Sequence, residues 1–390
     1  MVIALYGGSF NPPHLGHVDA ARVSLEKLKA DKFILMPASV PPHKELALHS
    51  PESAERLEMT RLAAKLIPGA EVSDYEISLG DTPSYTTKTA EYLRTIYPDD
   101  RIFLLIGTDM LLTFEGWYEF EKLLTLVELA VFPRDEGDLE RIEAFADYMR
   151  ERYGARITII DKCPLPMTST EVRDALPNRL GRDKLPEDVY AHIIRHRHYG
   201  AKPELEWLRD EAKKLLKPKR VPHVLGCEEE AVRLASRWGE DVEDAAEAAI
   251  LHDITKKLEK DEQLILCGKY GIMVDAIEFE SSKLLHAKTG AMQAQDLFGV
   301  SDRVRDAIYW HTTARPEMTL LEKIIYIADY IEPNRKFEGV EKLRELAYTD
   351  LDEAIILGLE MSIEDIRSYG VEPHPRSREA LDWFLSRRER

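Results

Sequence analysis

The chain has 390 residues, 44% hydrophobic and 32% charged, with a formal net charge of −18, a soluble globular composition long enough for two domains. The acidic excess, about −8 in residues 1–200 and −10 in residues 201–390, argues against a nucleic-acid-binding surface. No apolar run is long enough to span a bilayer and no basic-then-apolar leader is present, so no membrane is expected, and three scattered cysteines (Cys163, Cys227, Cys267) fit a reducing cytoplasm rather than a disulfide framework or a CxxC metal knuckle.

Val2-Ile3-Ala4-Leu5-Tyr6 is short, apolar and partly β-branched, and reads as a buried strand. The turn Gly7-Gly8-Ser9-Phe10-Asn11-Pro12-Pro13-His14-Leu15-Gly16-His17 follows, then a helical pattern from Val18 to Leu28. Glycines let backbone approach a ligand, and a helix N-terminus offers free amides to phosphate. His14 and His17 are three apart and face the same way in the first helical turn. As a protonated or hydrogen-bonding pair they suit a phosphate gathering negative charge. Lys32–Pro37 reads as a second strand, parallel to the first through a right-handed crossover. A Pro-rich loop carries Pro41-Pro42-His43-Lys44. A helix is expected over Glu52–Leu66 and an extended stretch over Glu71–Glu76, and Ser84-Tyr85-Thr86 opens another helix. Arg101–Ile106 reads as a buried strand ending in Gly107-Thr108-Asp109, where open α/β sheets bind ligands. Trp117-Tyr118, a strand ending at Pro133-Arg134, a last strand over Ile157–Ile160 and a hydroxyl-rich helix start carrying Ser169, Thr170 and Arg173 complete this half.

Together these segments resemble the bacterial nicotinate-mononucleotide adenylyltransferases over residues 1–200, within a superfamily that binds triphosphate through an HxGH element. The second signature, usually ISSTxxR, here reads Met167-Thr168-Ser169-Thr170-Glu171-Val172-Arg173; its first two positions depart, and Thr168 keeps a hydroxyl. The resemblance implies a Rossmann-like α/β domain with a parallel sheet, and AMP transfer from Mg²⁺-ATP to nicotinate mononucleotide with release of pyrophosphate. His14, His17, Lys44 and Arg173 would hold the ATP phosphates, with Ser169 and Thr170 as added donors. Gly7, Gly8, Ser9, Phe10, Gly107 and Arg134 would line the nucleotide crevice, Asp109 would contact the adenosine side, and Thr86, Trp117 and Tyr118 would hold the nicotinate. An alternative is transfer to another acceptor, pantetheine phosphate or glycerol phosphate.

Gly200 and Pro203 place a boundary near residue 201. Beyond it helical periodicity prevails, for example over Glu228–Trp238, Val242–Leu251, Val304–Trp310 and Leu320–Ile331, which predicts an all-α domain. His223, His252-Asp253, His286, His311 and Asp329 lie in or beside these helices, and imidazole with carboxylate suits divalent first-row metals. Leu251-His252-Asp253-Ile254-Thr255-Lys256, with His223 upstream and Asp329 downstream, resembles the HD phosphohydrolases. Trp310-His311-Thr312-Thr313 and Ile325–Arg335 narrow this to the members that split diadenosine tetraphosphate symmetrically into two ADP. The resemblance implies two transition-metal ions, iron before manganese. His223, His252, Asp253 and Asp329 would bind one, His286 and His311 the other, with Asp253 shared and Lys256 neutralising phosphate. Arg335 is a weaker candidate for that role, its plainer reading being a solvated surface cation. The alternative is a nucleotide-sensing module without catalysis, and association of further copies of the chain is left open.

Overall fold

The structure, a computed structural model, describes residues 1–42 and 46–388, with the side chains of Glu136 and Ser282 left aside. Lys44 therefore lies outside the described residues. The chain divides into two compact units, Met1–Lys202 and Pro203–Arg390.

In the first unit six strands, β1 (Val2–Gly8), β2 (Lys32–Pro37), β3 (Ala70–Val72), β4 (Arg101–Gly107), β5 (Glu128–Phe132) and β6 (Ile157–Ile159), form one parallel sheet in the order β3-β2-β1-β4-β5-β6. The central strands are near-continuous apolar runs because helices cover both faces. Leu5 pairs with Ile34 on one side and Leu104 on the other, and all three are buried. Strand order reverses between β1 and β4, so a crevice opens beyond their carboxyl ends, where nucleotides settle in doubly wound sheets. The turn after β1 and the segment after Gly107 both lie at that point. The extended stretch expected over Glu71–Glu76 ends at Val72, because a helical turn begins at Tyr75.

Arg56, on the helix Ser53–Ala64, is 1% exposed. Its Nη1 donates to the carbonyls of Ser9 (2.8 Å) and Ala38 (2.7 Å), and its Nη2 to that of Ser39 (2.8 Å). One guanidinium thus ties the turn after β1 to the loop after β2. Arg56→Met leaves these carbonyls unsatisfied and is expected to cost about 3–5 kcal/mol, read as a lower urea midpoint.

Among the described residues the second unit is helical throughout. The helix Val221–Trp238 packs on Val242–Leu251 and on Leu320–Ile331. Inside the first of these, a Cβ on Gly226 would stand 2.5 Å from Glu332 Oε2, so only glycine admits that carboxylate. No helix among the described residues is long and apolar enough to cross a membrane.

Candidate active sites, one in each unit

In the first unit His14 is the N-cap of the helix Leu15–Leu28 and His17 its third residue. The His14 N–H donates to His17 Nδ1 (3.1 Å), and the two rings lie 3.7 Å apart. Because His17 Nδ1 accepts, the proton of the neutral ring sits on Nε2. A Cβ on Gly16 would stand 2.7 Å from Met167 Cγ and 2.9 Å from the Leu165 carbonyl, so glycine lets that strap cross the helix start. Phe10, with φ 43°, takes a left-handed turn while fully buried against Tyr6 and His17. From the helix Ser169–Ala175, Ser169 Oγ donates to the Pro12 carbonyl (2.9 Å) and Arg173 Nη1 to that of Asn11 (2.6 Å). Arg173 also donates to Thr170 Oγ1 (3.1 Å). The two signatures, about 160 residues apart, therefore meet. Across the crevice mouth Arg134 lies over Gly107, and its Nε is 3.6 Å from Asp109 Oδ2. Both are well exposed, so this pair contributes little stability and is free to rearrange around a ligand.

Burial, with Arg134 nearby, pushes the His14 pKa down to about 4, and burial with His14 and Arg134 pushes His17 well below its usual range. Of the two protonation states the sequence left open, the neutral pair holds at pH 7. An unfolded chain takes up the His14 proton near pH 6.5. The folded chain resists it until about pH 4. This contribution is therefore complete above the unfolded pKa and lost as pH falls toward the folded one, by roughly 3 kcal/mol. His14→Gln is expected to lose less stability than wild type between pH 7 and pH 4, measured by urea unfolding at each pH.

A pocket of ≈410 Å³ is lined by Tyr75, Glu76, Ser84, Tyr85 and Tyr118, among others. The Tyr85 and Tyr118 rings lie 4.5 Å apart, and Thr87 Oγ1 donates to the Tyr118 carbonyl (2.6 Å). Glu76 at its base is buried and accepts from Thr89 Oγ1 (2.6 Å); burial raises its pKa. Thr86 is the first residue of the helix Thr86–Ile96. Trp117 is half-buried, its ring 5.0 Å from Phe114 and packed on the core. The structure thus brings Tyr118 to this pocket, while Thr86 and Trp117 are not among its lining residues.

In the second unit all six expected metal-site residues converge, and Asp253 is their centre. Its Oδ2 faces His252 Nε2 (3.4 Å) and His223 Nε2 (3.8 Å), and its Oδ1 faces His286 Nε2 (3.1 Å) and His311 Nε2 (3.9 Å). His223 Nε2 also lies 3.0 Å from Asp329 Oδ1. His252 and His311 each follow the last residue of a helix, Val242–Leu251 and Asp302–Trp310. Each donates Nδ1–H to the carbonyl three residues earlier, Ala249 (2.7 Å) and Ile308 (2.6 Å). His223 Nδ1 is held by Glu332 Oε1 (3.1 Å). These partners fix the tautomer, leaving Nε2 as a lone-pair donor toward the centre. Burial opposes ionisation of Asp253 and Asp329, yet surrounding imidazoles and cations outweigh it and hold both carboxyls well below their usual range.

The donor set fits divalent metal. Nε2 atoms confront each other at 3.3 Å (His223–His252) and 3.2 Å (His286–His311); in the first pair both Nδ1 atoms are held by acceptors, which leaves that contact without a bridging proton. Asp253 Oδ1 is wholly buried and accepts no well-directed hydrogen bond. Cys227 Sγ, 3.4 Å from His223 Nε2, is a further buried neighbour.

Sequence reasoning missed two charged residues here, Arg220 and Glu332, and placed a third, Arg335, on the surface. Arg220 Nε contacts Asp253 Oδ2, and Glu332 holds His223. Arg335 is no solvated surface cation: it donates to Asp329 Oδ1 (2.6 Å) and to the Asp329 carbonyl (2.8 Å). Lys256 Nζ lies 3.2 Å from Asp253 Oδ1.

The fold and sites define a phosphate-handling Rossmann-like unit joined to a helical HD unit. Residues 5–175 match the cytidylyltransferase-like family and residues 220–334 the HD domain. The chain is 35% identical over 198 residues to a protein of Carboxydothermus hydrogenoformans named probable nicotinate-nucleotide adenylyltransferase, covering 50% of this chain and 97% of that one. It is 46% identical over 156 residues to a symmetrical bis(5'-nucleosyl)-tetraphosphatase of Halalkalibacterium halodurans, covering 39% and 83%. A Mycoplasma genitalium protein named probable nicotinate-nucleotide adenylyltransferase/Ap4A hydrolase is 29% identical over 92% of this chain and 96% of its own. The chain belongs to the nicotinate-nucleotide adenylyltransferase family and, in the same polypeptide, to the HD-domain family of symmetrical bis(5'-nucleosyl)-tetraphosphatases.

Proposed function

We propose that the chain is a bifunctional enzyme: its first unit transfers AMP from ATP to nicotinate mononucleotide, and its second hydrolyses diadenosine tetraphosphate to two ADP. The observation that carries the reading is the placing of two separate phosphate-handling clusters, the neutral His14–His17 pair at the β1/β4 crevice and the four imidazoles around Asp253. In the first, Mg²⁺ arrives with ATP. Nε2–H of His17, the positive end of the helix Leu15–Leu28 and Arg173 hold the phosphates, with Ser169 and Thr170 in support and Arg134 and Asp109 at the crevice mouth. An oxygen of the acceptor's phosphate attacks the α-phosphorus in line, the α–β anhydride bond breaks and pyrophosphate leaves. Positioning and charge neutralisation suffice without a covalent enzyme intermediate. The nicotinate lies by the Tyr85–Tyr118 wall, near Thr86 and Trp117.

In the second, His223, His252, Asp253 and Asp329 would hold one ion, and His286 and His311, with Asp253 shared, would hold a second. Bound there, divalent metal supplies the Lewis-acid charge that activates water and clamps the phosphoanhydride. Lys256 and Arg220 lie beside that carboxylate to neutralise phosphate, and Arg335 orients Asp329. Iron is the first candidate and manganese the second.

The test is a substrate profile on the full chain. With Mg²⁺ and ATP, nicotinate mononucleotide is expected to outperform nicotinamide mononucleotide, pantetheine phosphate and glycerol phosphate. Diadenosine tetraphosphate is expected to give only ADP, with the activity lost on chelation and restored by Fe²⁺ or Mn²⁺. Best turnover on another acceptor, or hydrolysis indifferent to chelation, overturns the corresponding half.

A further inference from the structure

The first unit holds a second group of histidines away from His14 and His17. Near the end of the helix Glu187–His196, His192 and His196 stand one turn apart, and His198 follows in a short turn. Glu55, from the helix Ser53–Ala64, sends Oε2 to within 2.8 Å of His192 Nε2 and 3.0 Å of His198 Nε2. The His192 and His196 rings lie 4.5 Å apart, and those of His196 and His198 5.3 Å apart and nearly parallel. One ligand atom each from Glu55, His196 and His198 falls within 4.8 Å of the others.

We propose that Glu55, His192, His196 and His198 bind one divalent transition-metal ion of the Zn²⁺ type. Glu55, His196 and His198 already bring one ligand atom each together, and His192, 2.8 Å from the same Glu55 oxygen, supplies the fourth when its ring turns inward, giving the number and chemistry of a closed tetrahedral site. Three imidazoles packed around one carboxylate cannot all be cations without repulsion, whereas metal ligation takes them neutral. Burial and His192 already lower the His196 pKa. With all four donors from protein, the site leaves no open position for a substrate, so its role is structural. Its neighbours say what it would brace. Arg56, next to Glu55, holds the Ser9 carbonyl, and Tyr199, next to His198, donates its hydroxyl to Asn11 Oδ1 (2.7 Å). An ion here fastens both supports of the Ser9–Asn11 turn that precedes His14.

The experiment dialyses the full chain against Zn²⁺ and counts bound equivalents, for wild type, His192→Gln/His198→Gln and Glu55→Gln. The double variant is expected to hold one equivalent fewer than wild type while hydrolysis of diadenosine tetraphosphate, which reports the other metal centre, is unchanged. Glu55→Gln, which keeps the side-chain shape, is expected to weaken one class of Zn²⁺ binding by about tenfold or more. In Co²⁺, the wild-type minus variant visible spectrum should be that of a tetrahedral centre. Equal Zn²⁺ equivalents in wild type and the double variant, or a difference spectrum without tetrahedral bands, overturns the proposal.

Discussion

Asp253→Ala is expected to lower hydrolysis of diadenosine tetraphosphate by at least about 10³-fold while adenylyl transfer stays within about twofold of wild type. Among the described residues Asp253 is the one carboxylate whose two oxygens face different imidazole pairs, His223 and His252 on one side and His286 and His311 on the other. Removing it takes a ligand from both ions at once. It also strips Arg220 and Lys256 of their anion, and breaking a buried pair costs about 3–5 kcal/mol. Asp253→Asn, which keeps the volume, separates loss of ligation from loss of fold. Assaying both reactions in the same purified chain checks the result. A parallel fall of both activities in a folded variant would show that the two sites are not independent.

His17→Gln is expected to lower kcat/KM for adenylyl transfer by about 10²–10³-fold, chiefly through kcat, with hydrolysis unchanged. Glutamine at the third helical position can accept from the cap N–H as His17 Nδ1 does, so the helix start survives. What disappears is an Nε2–H donor in a neutral, half-buried ring, already placed by its hydrogen bond to the cap as charge builds on the leaving phosphate. Steady-state kinetics over ATP and acceptor concentration decide it. An unaltered kcat with a raised KM for ATP would make His17 a ground-state binding group only.

The strands were legible because β1 and β4 carry unbroken apolar runs, VIALY and IFLLI, that fit only a sheet covered on both faces. The Gly-rich turn, the HxGH histidines and Arg173 could be named individually, since their chemistry is unusual for a turn. What a linear reading could not supply is which of them meet. Ser169 and Arg173 reach the carbonyls of Pro12 and Asn11 only because β6 returns the chain to the crevice. In the second unit His223 and Asp329 could be joined through motif resemblance alone, since no periodicity links residues so far apart. Arg56, Arg220 and Glu332 carry no signal in the sequence, and Arg335 reads as surface, for a common physical reason. Each is an ordinary charged residue in an ordinary helical or loop context, and burial by distant segments gives it its partner. Arg335 in particular reads as surface until the end of the helix Leu320–Ile331 folds it back on Asp329.

His252 and His311 owe their aim to main-chain oxygens at the ends of two helices rather than to a side chain that could be exchanged. Each ring is thus only as steady as the final turn behind it, and helix tips are where fraying begins. Ion occupancy and the order of those two tips are thermodynamically linked. Amide exchange at Ala249–His252 and Ile308–His311 should slow when the centre fills, so that two ordinary helix ends become gauges of its loading.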